Sequence, residues 1–268
     1  MAGYFDDMPQ DKRTRIMQVA AALHAAGIKN KYLAAAILAV VSKESNFMPV
    51  AEGSYSSSSA ERIREVYPSY FGSSSDAEIN RIKADPVEFF NRVYGGKYGN
   101  SAAEGYKYRG RGLNQLTFKA NYKHYGKIAG VENYRYYSLV SGLDLVSKPD
   151  LLLQMGPAAK VCAAYFIENI NKAPATYKAK YHFSGLNDFK TLKDACMAAY
   201  HANAGWGKSS AQIIADATGG LGKTLSRAPG FLAMLEGNKV PAPGSGSGQR
   251  LAIAAGVFAL GFVITRIL

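Results

Sequence analysis

Apolar positions recur at helical spacing over residues 10–28, where Ile16, Val19, Leu23 and Ala26 share one side and Gly27 stands at a natural stop. Residues 30–44 read differently, as an almost unbroken apolar run, Tyr32–Val41, that ends in Ser42-Lys43-Glu44. The run is shorter than the ~20 residues a bilayer crossing needs, so it predicts a helix buried in a core. A serine-rich loop, Ser54–Ser59, precedes short helices expected at 60–67, 76–84 and 86–93, the last begun by Pro86. From Gly95 to Gly112 glycine and tyrosine dominate, which predicts irregular chain or a small β-hairpin. Helical spacing resumes at 118–129 and is strongest at 149–170, where Pro149 suits a first turn and Leu152, Ala159, Cys162 and Phe166 are apolar. Further helices are expected at 188–201, 208–217 and 225–236. The fold class is mainly α, with little sheet.

The pattern breaks at Val240. Pro241–Arg250 (PAPGSGSGQR) has the composition of a flexible linker, and Leu251–Thr265 carries no charge before the final Arg266-Ile267-Leu268. Three units follow: a domain over 1–238, a Pro/Gly/Ser linker over 239–250 and a hydrophobic helix over 251–268. A glycine-serine tether detaches the last unit from the core, so a C-terminal membrane anchor is expected, with Arg266 reaching for the interface. Basic residues flank it on both sides, which leaves its orientation open. The N-terminus has no apolar stretch after its charges and predicts no secretory signal.

The 268 residues suffice for one substantial core, and the net charge of +12 calls for an anionic partner. The basic residues are scattered rather than gathered, which argues against nucleic acid and for a bacterial wall rich in carboxylates and phosphates. Cys162 and Cys196 are too few for a disulfide framework and are expected to be buried thiols. His24, His124, His182 and His201 are isolated, so no metal site is expected, and no organic cofactor either.

Candidate chemistry gathers in Gly105–Tyr122, GYKYRGRGLNQLTFKANY. Gly110 and Gly112 bracket Arg111 and suit a sharply turning backbone, while Gln115, Thr117 and Asn121 are placed to line a cleft wall and hydrogen-bond a polyhydroxylated ligand. Upstream, Glu44 ends the apolar helix. Burial and the negative end of the helix dipole both favour the protonated form that a general acid needs. Glu52 follows in an extended or looped segment past Pro49. A loop carboxylate facing a helix-end acid is the arrangement of inverting glycosidases, whose carboxyls stand about 6.5–9.5 Å apart to admit a water. Glu61 and Glu65 fall in a charged helix and are expected to face solvent.

Three blocks together resemble the family 19 glycoside hydrolases, the chitinase-like group that includes many bacteriophage endolysins. They are Lys43-Glu44-Ser45-Asn46-Phe47 continuing to Glu52 and Tyr55, Asn91–Asn100 (NRVYGGKYGN), and Tyr106–Tyr122. The resemblance spans roughly Ile37 to Gly205. It implies an α+β lysozyme-like fold, a helical bilobal domain with a small irregular or hairpin region lining a cleft. It also implies Glu44 as general acid, Glu52 as general base, Thr117 as holder of the attacking water, and Gln115, Asn121 and Asn203 as sugar-binding positions. Tyr94, Tyr98, Tyr106, Tyr108 and Trp206 lie in or beside the blocks and are expected to stack on sugar rings, Tyr94 and Tyr108 foremost.

The chain departs from the family where Lys43 replaces a histidine. Ser45 and Asn46 replace two glycines, with the carboxylates one residue closer. Glu44-Ser45-Asn46-Phe47 and Ala199–Gly205 (AYHANAG) are also similar to pieces of lytic transglycosylases, which share the lysozyme-like fold and use a single glutamate. The expected function is an inverting, peptidoglycan-degrading glycosidase, virion-associated in a bacteriophage and held at the virion or host membrane. Its expected partners are the wall, a membrane and other virion proteins. A lytic transglycosylase using Glu44 alone, a chitinase, and a non-catalytic wall-binding protein are the alternatives.

Overall fold

The computed structural model describes residues 8–126, 143–207 and 220–237. The helix expected at 208–217, the linker and the hydrophobic segment at 251–268 lie outside the described residues. Among the described residues no helix is long and apolar enough to cross a membrane.

The chain is mainly helical, as its periodicity predicts. Helix α1 (Gln10–Ala25) stops where Gly27 turns at φ +102°, which lets the Ile28 N–H reach the Leu23 carbonyl at 3.0 Å. Helix α2 (Lys31–Ser45) begins at Asn30, whose side chain accepts from the Leu33 N–H at 3.0 Å. Every residue from Ala35 to Ser42 is buried, because α2 packs against α1 and two later helices, α10 (Leu192–Ala204) and α11 (Gly220–Gly237). A helix apolar on all sides has no surface to give to water, and its alanines let neighbouring backbones come close.

A second, smaller core lies over residues 60–94. Helices α3 (Ala60–Val66), α5 (Asp76–Ala84) and α6 (Pro86–Tyr94) start at Ser59, Ser75 and Asp85, each of which caps a backbone N–H. A short helix, α4 (Pro68–Phe71), carries no periodic signal and follows from Pro68 in the first turn. Ile63, Tyr67, Phe71, Ile79, Phe89 and Phe90 form the interior of this lobe.

The sheet joins distant parts of the chain. Strand β1 (Val50–Ala51) pairs antiparallel with β2 (Arg111–Gly112), Val50 opposite Gly112 and Ala51 opposite Arg111. A hairpin confined to residues 95–112 is therefore not what forms: β2 pairs upstream with β1, and Arg111 also bridges to Leu116.

Helix α7 (Lys119–Gly126) occupies the described part of the element expected at 118–129. The element expected at 149–170 divides into a 3-10 helix, Pro149–Leu153, and α8 (Met155–Asn171), with Gln154 extended between them. Pro157 is the reason. In a continuous helix its ring would meet the carbonyl four residues back, whereas a fresh start at Met155 places it in a first turn. After α9 (Ala175–Lys180), α10 begins at Leu192 rather than 188, because Asp188 accepts from the Ser184 and Gly185 N–H groups and Thr191 supplies the cap. Helix α11 starts a turn before the expected 225 and carries Pro229 inside it. Cys162 and Cys196 are buried free thiols, their pKa values pushed up to about 12 by burial.

Helix α2 ends abruptly, with Asn46 and Phe47 both left-handed at φ +48° and +60°. The Phe47 ring is fully buried and meets Phe231 of α11 edge-on at 5.6 Å. Phe47→Ala should cost about 3–5 kcal/mol of stability in chemical denaturation, since packing of this ring holds an otherwise unfavourable backbone. A loss below about 1 kcal/mol would contradict that account.

Candidate active site

Glu44 lies in the last turn of α2, its side chain 13% exposed. Its Oε1 receives the Lys43 ammonium at 2.5 Å and the Asn203 amide at 2.9 Å. Among the described residues nothing hydrogen-bonds its other oxygen, Oε2. Asn203 arrives from the end of α10, which Gly205 terminates at φ +97°. Beneath it His201 is fully buried, 3.1 Å from the Tyr181 hydroxyl and stacked on Trp206, whose indole N–H holds the Asn169 carbonyl. Helix α10 is thus locked, and Asn203 with it. Burial first, and then the charge of Glu44, raise the pKa of the Tyr165 hydroxyl.

Glu52 follows β1 and is not the open loop carboxylate its sequence context predicts. It is 4% exposed, and its carboxyl is enclosed. Tyr67 and Tyr94 hydroxyls stand 3.1 and 3.0 Å from Oε1, and that of Tyr55 stands at 3.4 Å. Tyr94 also reaches Oε2 at 3.1 Å, where the Gly110 N–H donates at 3.3 Å. Burial raises the Glu52 pKa, while the Gly110 N–H and then the three hydroxyls act in the opposite sense. In the same enclosure burial, and then the Glu52 charge, push the Tyr55 hydroxyl up to about 12 and raise Tyr67 and Tyr94 further.

The glycine-bracketed motif is largely internal scaffolding. Arg111 is 3% exposed and donates to Asp150 at 2.7 Å, to the Lys107 carbonyl at 2.7 Å and to the Tyr122 hydroxyl at 3.3 Å. A Cβ on Gly110 would lie 2.8 Å from the Gln115 side-chain oxygen and 3.3 Å from Glu52 Oε2, so a larger residue there would have to displace the Gln115 side chain. Gln115 donates its amide to the Val50 and Gly112 carbonyls at 3.1 and 3.0 Å, which ties the motif to β1. The Thr117 hydroxyl donates to the Gln115 carbonyl and the Asn121 amide to the Thr117 carbonyl, leaving acceptor oxygens on both side chains.

Tyr108 has no exposure and bonds the Val146 carbonyl, and Tyr94 is 4% exposed with its hydroxyl on Glu52. Neither ring has a face to offer a sugar; both are packed. Tyr98, Tyr106 and Trp206 remain at least partly exposed, and the Arg109 guanidinium lies 4.0 Å from the centre of the Tyr106 ring. Sequence reasoning missed Tyr67 and the internal role of Arg111. A tyrosine between two short helices gives no periodic signal, and a basic residue beside glycines reads as surface.

The sequence matches no protein-family model and no curated protein. Among the described residues, five of the six non-glycine positions with positive φ fall in the three sequence blocks: Asn46, Phe47, Tyr98, Gln115 and Phe118. Such backbone costs free energy and concentrates at functional sites.

Because burial lifts the folded-state pKa of Glu52 above its ordinary 4.5, the native protein holds that proton more tightly than the unfolded chain. Stability from this group is fullest below the ordinary value and declines as pH rises through the folded one. Glu52→Gln removes the titration, so its stability relative to wild type should improve as pH rises above the ordinary 4.5 in paired denaturation curves. A pH-independent difference would contradict the burial account.

Proposed function

We propose that the chain is a peptidoglycan-degrading glycosidase in which Glu44 donates the proton to the glycosidic oxygen. The observation that carries this reading is the Glu44 carboxyl at the end of a buried helix, anchored through Oε1 from two sides and, among the described residues, without a hydrogen bond at Oε2. A general acid must be held still and present one oxygen to the leaving group. Asn203, distant in sequence, bonds that same carboxyl. Strained backbone in all three blocks and a charge of +12 suited to an anionic wall support the same reading.

Two outcomes share this step and differ at Glu52. Inverting hydrolysis needs a second carboxylate that takes a proton from water. Both Glu52 oxygens already face hydroxyl or N–H groups inside the enclosure. That observation favours the second reading, a lytic transglycosylase in which Glu44 works alone. It protonates the leaving oxygen, then as carboxylate accepts the proton of the muramoyl C6 hydroxyl as that oxygen closes on the anomeric carbon. The product is an anhydro-sugar.

Glu44→Gln should lower wall clearing by roughly 10²–10⁴-fold in a zymogram, and equal clearing by both proteins would remove Glu44 from the chemistry. Mass spectrometry of the released fragments separates the outcomes: anhydro-muramoyl ends support the single-glutamate route, and reducing ends support hydrolysis. Asn203→Ala should lower kcat more than it raises KM, since it loosens the acid rather than the substrate.

A further inference from the structure

We propose that Glu52 is a positioning residue: its buried carboxyl fastens the tyrosines of the small core to Gly110 and so sets the wall that carries Gln115 and Thr117. Tyr55 comes from the loop before α3, Tyr67 from the junction of α3 and α4, and Tyr94 from the end of α6. All three rings belong to the small core or pack on it. Gly110 belongs to the other side, directly before β2. The carboxyl is where the two meet.

The backbone reinforces the link. Glu52 N–H donates to the Gly110 carbonyl at 2.8 Å, and the Arg109 guanidinium donates to the Glu52 carbonyl at 3.2 Å. Gln115 then fills the space left by the absent Gly110 side chain and bonds the Val50 carbonyl. Moving Glu52 therefore moves Gly110, and Gly110 moves Gln115.

The donor and acceptor pattern says which groups can stand there. Oε2 accepts from a backbone N–H, which can only donate. Oε1 meets three hydroxyls, which can donate or accept. The carboxyl can accept from the Gly110 N–H and from all three hydroxyls, and with a proton on Oε1 it can donate to one hydroxyl instead. A glutamine with its amide nitrogen at that position keeps the Gly110 contact and donates to two of the hydroxyls. A proton-accepting base has no such isostere. The inference rests on the glycosidase reading only for its kinetic readout.

Hydrogen exchange on the full chain tests the link directly. Peptides covering 105–118 should exchange in Glu52→Gln within about twofold of wild type and in Glu52→Ala at least about tenfold faster, with α8 peptides unchanged in both. On walls, Glu52→Gln should keep kcat within about threefold and leave the pH profile in place, while Glu52→Ala raises KM more than it lowers kcat. If Glu52→Ala does not fold, Tyr67→Phe and Tyr94→Phe take its place, and each should speed exchange in the same peptides. Unchanged exchange in Glu52→Ala, or in both tyrosine variants, overturns the proposal. So does a loss of about 100-fold or more in kcat for Glu52→Gln at constant KM, the mark of a base. A wild type without wall activity defeats the glycosidase reading and leaves the exchange test to decide the link.

Discussion

A carboxyl group taken out of water holds its place only among hydrogen-bonding partners, and the enclosure of Glu52 meets that demand from both sides of the molecule. Apart from the Tyr67–Tyr55 contact at 2.9 Å, the hydroxyls of Tyr55, Tyr67 and Tyr94 find their hydrogen-bond partner in this carboxyl. Without it Gly110 would carry an N–H with no partner from β1. One side chain resolves both conditions, and so the small core, the two-residue strands and the motif behind them depend on a common point. The absence of a side chain at Gly110 belongs to the same constraint, because Gln115 and Glu52 occupy the space.

Glu44 and Glu52 show how environment separates two chemically identical groups. Both leave the same stretch of chain around the end of α2, yet among the described residues one has an oxygen without a hydrogen bond and the other has both oxygens occupied. The left-handed turn at Asn46 and Phe47 is what sends them apart. It stops α2 one residue after Glu44 and redirects the chain into β1, and burial of the Phe47 ring against α11 offsets its cost. Strain, packing and the placement of Glu44 are thus parts of one arrangement.

Much of the architecture was legible in the chain. The sequence located α1, α2, α5 and α6 to within a few residues, with Gly27 as a stop and Pro86 at a first turn, and the structure adds Asn30, Ser75 and Asp85 as caps at the same boundaries. Where signals conflict, the boundaries moved. Pro157 overrode the apolar spacing that ran through 149–170, and Asp188 diverted the start of α10 into a turn. The site was legible in part. Glu44 and Asn203 could be named from their motifs, and the structure brings them together at 2.9 Å.

Taken alone, the sequence determined the mainly helical class, the buried α2 with an acid at its end, and the irregular stretch around Gly95–Gly112. These are consequences of short-range spacing, and spacing is written along the chain. Tertiary structure alone decided that β2 would pair with β1, that Tyr94 and Tyr108 would be packed rather than open, and that Arg111 would be internal. It also decided that Glu52 would be enclosed by tyrosines. The physical reason is desolvation: whether a carboxyl, a guanidinium or an aromatic ring faces water depends on which distant segments cover it, and no local pattern encodes that cover.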